Sequence, residues 1–203
     1  MSSTATPRGL VPVNHIGGTP YAGSTRKIKI ASGYGTNLYN GAVVKIHTDG
    51  TLNLVTETGG VGDLFPAGTI GVFVGCCYTD ADLGFVNRQY WPTGTVASDA
   101  MGFVVDDPNA LFQVQSSGPI NQNDLGMNVD FTAAQSTSTG STKNGNSTSS
   151  VGTGAACVAT TTVGFRIVDF VEGPDSTVGD AYTDIIVKFN QLAHSYTNPT
   201  GSA

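Results

Sequence analysis

Charged residues make up only 12% of this 203-residue chain, about half the share of an ordinary soluble domain. That scarcity argues against solvent-facing helices, which draw on Glu, Lys and Arg. Basic residues are fewer still. Nine Lys and Arg face fifteen Asp and Glu, for a formal charge of −6. Binding nucleic acid through its phosphates needs clustered basic side chains. The one cluster here, Arg26, Lys27 and Lys29, lies along a strand-like segment and reads as a solvated strand face. There is no run of about 18 apolar residues, so no transmembrane helix is expected. The first residues carry no apolar signal segment. The expectation is a protein made in a cytosol and retained there, or in something assembled there.

The residues that carry chemistry are sparse as well. Three cysteines, two of them adjacent, do not make a disulfide framework. Neighbouring side chains on a strand point to opposite faces, so Cys76 and Cys77 do not form a zinc pair, and Cys157 has no spaced partner. His15, His47 and His194 lie far apart, outside any HExxH pattern. Nucleophile-elbow, P-loop and GxGxxG-helix patterns are lacking. Asp80 and Asp82 suggest a calcium loop but lack its third oxygen ligand and its closing glutamate. Asp106 and Asp107, before Pro108, read as turn chemistry. Asn146-Ser147-Thr148 matches a glycosylation sequon without a secretory signal beside it. The expectation is no enzyme, no cofactor and no metal.

What the chain does have is glycine, 27 residues of it, with many Ser, Thr and Asn. These suit strands joined by turns. The fold expected is all-β, an antiparallel barrel or sandwich core with an extended N-terminal arm and little helix. Residues 1–26 read as the arm, 27–190 as the β-domain and 191–203 as an extended tail.

Within the domain, residues 26–31 alternate, with Ile28 and Ile30 inward and Lys27 and Lys29 outward. Residues 42–47 and 52–56 flank Asp49-Gly50 and form the clearest hairpin. Residues 59–68 are a glycine-rich connector. In 69–79, Ile70, Val72, Val74, Cys76 and Tyr78 read as one face, and the glycines opposite them suit a tightly coiled strand. Residues 85–91 return. Residues 103–105 and 111–115 are expected to pair as a hairpin. Residues 121–126 could hold one helical turn, and 127–131 a strand. Residues 163–171 and 181–189 read as two long strands apolar on both faces. Residues 132–156 are Ser, Thr, Gly, Ala and Asn, the composition of a mobile loop that only other surfaces could hold still.

The arm is broken by Pro and Gly yet carries Leu10, Val11, Val13, Ile16 and Tyr21. A merely disordered tail has fewer apolar residues. These side chains are expected to lie along the barrel or a neighbouring subunit, and the β-core is expected to fold without the arm. Tyr90, Trp91 and Pro92 could stack on a sugar or base. A lone tryptophan in a β-protein more often fills a core or a subunit contact.

Certain stretches resemble the capsid decoration, or cement, proteins of tailed bacteriophages. They are residues 41–52 (Gly-Ala-Val-Val-Lys to Asp-Gly-Thr-Leu), 71–79, Tyr90-Trp91-Pro92, and 104–115 (Val-Val-Asp-Asp-Pro to Phe-x-Val-Gln), all following an extended apolar arm. The resemblance covers about half the chain. It implies a virion protein on the capsid exterior, assembled in the host cytoplasm. Such a protein binds the major capsid protein, bridges its subunits and associates with itself as a dimer or trimer, without catalysis. Two other classes stay open: a different virion part, such as a head fibre or tail protein, or a carbohydrate-binding β-sandwich built on Trp91 and the acidic loops.

Overall fold

Alternating apolar residues and well-placed turns set the frame. The computed structural model describes residues 4–56, 65–160 and 162–200. One sheet runs β1 (Val11–His15), β8 (Ala110–Gln115), β11 (Asp184–Phe189), β10 (Phe165–Phe170) and β9 (Asn128–Val129). The other runs β2 (Arg26–Lys29), β7 (Met101–Val105), β5 (Thr69–Asp80), β3 (Ala42–Ile46) and β4 (Leu52–Leu54), with β6 (Gly84–Arg88) on the far half of β5. All strand pairs are antiparallel. A single 3-10 turn at Gln122–Asp124 falls where one helical turn was expected. The chain is an all-β sandwich. Among the described residues no pairing joins the outer strands into a barrel. Most of the glycine-rich connector at 59–68 lies outside the described residues.

The expected hairpin is β3–β4, with Val44 opposite Leu54 and Ile46 opposite Leu52. Its tip is closed by Asp49, whose carboxylate accepts from the Thr51 N–H at 2.9 Å and the Thr51 hydroxyl at 2.7 Å. These bonds hold the Asp49 carboxyl down to about 2.

The hairpin expected between 103–105 and 111–115 does not form. β7 pairs with β2 and β5, while β8 pairs with β1 and β11. Residues 106–109 therefore carry the chain from one sheet to the other. The crossover lets Val105 and Phe112 enter one core from opposite layers, which a hairpin within one sheet would prevent.

The glycines of β5 also act differently from a simple coiled strand. Gly71 and Gly75 sit at φ +142° and +149°, values L-residues rarely adopt. At Gly71 a Cβ would overlap the Val105 carbonyl oxygen. The register shifts between Phe73 and Gly75, and the single apolar face from Ile70 to Tyr78 is broken there. Val72 packs between the sheets, whereas Ile70, Phe73, Cys76 and Tyr78 face the other way. Two cores result. The first lies between the sheets around Phe65, Phe112, Phe131, Phe165 and Phe189, with edge-on ring pairs such as Phe65–Phe165 at 5.0 Å. The second lies on the opposite side of the glycine-bent sheet, around Ile30, Leu52, Phe73, Tyr78 and Trp91.

β10 and β11 bury one side chain in two on their core faces, Phe165 and Ile167 against Ile185, Val187 and Phe189. Their outer faces are half-exposed and mixed rather than fully apolar, because Arg166, Asp169, Asp184 and Lys188 alternate with the core residues.

Residues 132–156 are woven into the sandwich by their own chain. The buried Gln135 amide accepts from Val43 N–H at 2.9 Å and donates to the Val43 and Val55 carbonyls at 3.1 and 2.9 Å. Asn40 forms a parallel bridge with Asn146, its N–H donating to the Gly145 carbonyl and its carbonyl accepting from the Ser147 N–H, and Val151 enters the first core. A polar segment can be ordered this way because each buried donor and acceptor finds a partner.

Candidate functional site

The arm is part of the sandwich. β1 pairs with β8, and Leu10 is fully buried in the first core. Leu10 N–H donates to the Gly41 carbonyl at 2.9 Å. There the backbones cross closely: a Cβ on Gly9 would lie 2.6 Å from the Gly41 oxygen. Leu10 is therefore not available to a partner, and removal of residues 1–25 would open the core rather than leave it folded. Val13 is half-buried. Tyr21 is half-buried too, its hydroxyl donating to the Ser24 carbonyl at 3.1 Å. Val11 and Ile16 remain exposed at and just beyond β1.

Trp91 is likewise a core residue, with no exposed surface. Its indole N–H donates to the Tyr34 carbonyl at 3.4 Å, and its ring meets Tyr78 edge-on at 5.3 Å. Burial of the ring removes it as a platform for a sugar or base. Tyr90 is half-buried and stacks on Tyr39 at 5.7 Å.

Other chemistry-bearing side chains are held by the fold. Burial pushes the Cys76 thiol up to about 12 and the Cys157 thiol up to about 11, so thiolate chemistry is suppressed at both. Asp80 accepts from the N–H groups of Asp82 and Leu83, the behaviour of a turn residue. His194 is buried between the rings of Phe189 and Tyr196, and desolvation holds it below the usual histidine range.

The Asp106–Asp107 pair has a role that turn chemistry alone did not announce. Asp107 accepts from Asn109 N–H at 2.8 Å and lies 3.3 Å from His15 Nε2. Asp106 accepts from the Tyr196 hydroxyl at 2.8 Å and Arg26 Nε at 3.0 Å. Burial and this carboxylate push the Tyr196 phenol up to about 12. One crossover thereby ties down the N-terminal strand, β2 and the C-terminal tail.

Two kinds of surface remain. The first is apolar, with Val96 and Leu125 exposed in connecting segments and others at strand ends. Leu83 and Phe85, at the β5–β6 tip, are 67% and 65% exposed, and Ile16, in the turn after β1, is 48% exposed. Among the described residues, the outer edge of β6 pairs with no strand. The second is a polar groove of about 870 Å³ over the outer face of β8 and β11, lined by Arg8, Gln113, Gln115, Asn144, Asn146 and Asp184 among others. Sequence reasoning did not bring these six together: Asn146 stood only in a sequon and Gln115 only at the end of a strand motif. The groove arises from segments distant in the chain.

Neither family models, nor curated proteins, nor solved structures give a match to this chain.

Proposed function

We propose that the chain is a virion structural protein of a tailed bacteriophage, bound on the outside of the mature capsid. There it stabilises the shell by bridging neighbouring major capsid subunits. The observation that carries this reading is the placement of the exposed apolar residues. Ile16 follows a strand of one sheet, and Leu83 and Phe85 cap a hairpin of the other. Neighbouring exposed apolar side chains such as Leu83 and Phe85 can mark a protein contact, and a second contact at Ile16 would let one copy touch two neighbours. The motif resemblance at 41–52, 71–79 and 104–115 points the same way. So does the sandwich itself, two sheets cross-tied at Asp106–Asp107, which suits a part whose task is to bear load. Self-association as a dimer or trimer belongs to the same proposal.

The test is sedimentation of the purified protein with mature capsids stripped of it, followed by electron microscopy of the pelleted particles. Saturable binding at regular positions on the outer shell is expected. A protein that stays in the supernatant, or that appears only on tails or fibres, overturns the reading.

A further inference from the structure

The groove over β8 and β11 is built from three directions. Its floor is Gln113, Gln115 and Asp184 on the outer face of the first sheet. One wall is the segment at Thr4–Arg8, pinned by Gln115: the Thr6 N–H donates to Gln115 Oε1 at 2.7 Å, and Gln115 Nε2 donates to the Thr4 carbonyl at 3.1 Å. The opposite wall is the turn at 173–176, held by Asp184 N–H donating to Ser176 Oγ at 2.9 Å. The third side is Asn144 and Asn146 from the ordered loop. Asn144 Oδ1 accepts from Asn146 N–H at 3.0 Å, and Asn146 Oδ1 accepts from Gln89 Nε2 at 2.6 Å. The walls are thus fixed before any ligand arrives, and the volume lies in the range of ligand sites.

The groups facing the groove select the ligand class. Asp184 is half-buried, accepts from Gln113 Nε2 at 3.2 Å and lies in the field of Arg8. Burial raises its carboxyl above the ordinary aspartate range, with Gln113 and Arg8 opposing. An anion entering the groove would meet Asp184 and Asp175. A cation would meet Arg8. An apolar molecule would strand a lining rich in amides and hydroxyls. A neutral polyol offers donors and acceptors on every side, as this lining does. Acetamido groups on a sugar also match the carboxamides of Asn144 and Asn146.

We propose that this groove is a binding site for neutral oligosaccharide, with Arg8 and Asp184 gripping vicinal hydroxyls and the carboxamides of Gln113, Asn144 and Asn146 reading substituents. The site is separate from the apolar strand ends and independent of whether the protein sits on a capsid.

The test is titration of the intact, isotope-labelled protein with maltotriose, cellotriose, tri-N-acetylchitotriose and a sulfated trisaccharide. Amide shifts at Gln113, Gln115 and Asp184 report occupancy. At least one neutral sugar is expected to bind, and Asp184→Asn and Arg8→Gln should each weaken it at least tenfold while the remaining spectrum stays native. Lys45→Gln, outside the groove, should bind as the parent does. The proposal is overturned if no neutral sugar shifts these amides, if both groove variants bind unchanged, or if the sulfated sugar is preferred. Loss of capsid binding with sugar binding retained would count against the decoration reading alone.

Discussion

Residues 69–120 and residues 132–156 reverse what their compositions promise. The first stretch is the most apolar in the chain, yet its β5–β6 tip holds Leu83 and Phe85 out in solvent. The second is almost wholly polar and small, yet Gln135, Ser147, Ser149 and Val151 are buried in it. Burial in this protein is decided by where hydrogen-bond partners lie as much as by apolar area. A polar segment is drawn in where a sheet leaves donors and acceptors open, and an apolar hairpin is left out where its strand outruns the sheet. Substitutions in the two stretches separate those contributions.

The largest loss is expected at Trp91. Trp91→Ala removes a fully buried ring from the second core and should cost about 3–5 kcal/mol, a fall in Tm of roughly 10 °C for a chain of this size. Thermal melts check it. A fall of only a few degrees would mean that the glycine-bent sheet collapses onto the gap, and that the second core is softer than its packing implies.

Gln135→Ala tests the polar stretch. It strands the Val43 N–H and the Val55 carbonyl together and leaves the Val43 carbonyl only its bond from the Val55 N–H, at a cost of about 2–4 kcal/mol. Hydrogen exchange should quicken across residues 136–150 and at Val43 before the rest of the sandwich responds. Uniform protection would show that the bridges at Asn40–Asn146 and Ser116–Val151 hold the segment without the amide, and the contrast between the two stretches would narrow.

The strands were legible because their signal is local. Ile28 and Ile30 alternate with lysines, and Asp49-Gly50 marks a hairpin, so β2 and the β3–β4 pair follow from period and turn chemistry. Which sheet a strand joins is not local. Val104 and Val105 look alike in sequence, but one faces each core, and only the crossover at 106–109 decides it. The arm misled for a similar reason: Leu10 and Ile16 have the same apolar character, and the Gly9–Gly41 crossing buries only one of them. The groove was invisible because Arg8, Asn144 and Asp184 meet only after folding. Ser/Thr/Gly composition measures how many conformations a free segment has, but not that a neighbouring strand pair leaves Val43 and Val55 waiting for an amide.

A smaller effect is expected from pH, through His194. Its folded-state pKa lies below the unfolded value of about 6.5, so below that pH the unfolded chain takes up a proton that the folded chain resists. Stability contributed by the neutral, buried ring is complete above about pH 6.5 and is lost as pH falls from there toward the folded value. His194→Gln keeps an acceptor for the Tyr196 N–H and removes the titration. Denaturant midpoints for the parent should decline between pH 6.5 and 5 more steeply than for the variant. Parallel curves would show that the His194 ring does not set the acid sensitivity.

The smallest effect on stability should come from an exposed part of the apolar stretch. Phe85 stands opposite Thr79 across the β5–β6 pair and is largely in water, so Phe85→Ser removes little buried area and should change stability by no more than about 0.5 kcal/mol. Its neighbour Val86 still packs on the second core, and Arg88 still lies over the Tyr78 ring at 5.9 Å, so the hairpin keeps its position. If the tip exists to meet another protein, the same substitution should lower capsid association at least tenfold, since aromatic anchors carry much of a contact's energy. A variant that melts like the parent and binds like the parent would remove the hairpin tip from the interface. The bridging would then fall to the turn after β1, where Ile16 is the exposed residue to replace.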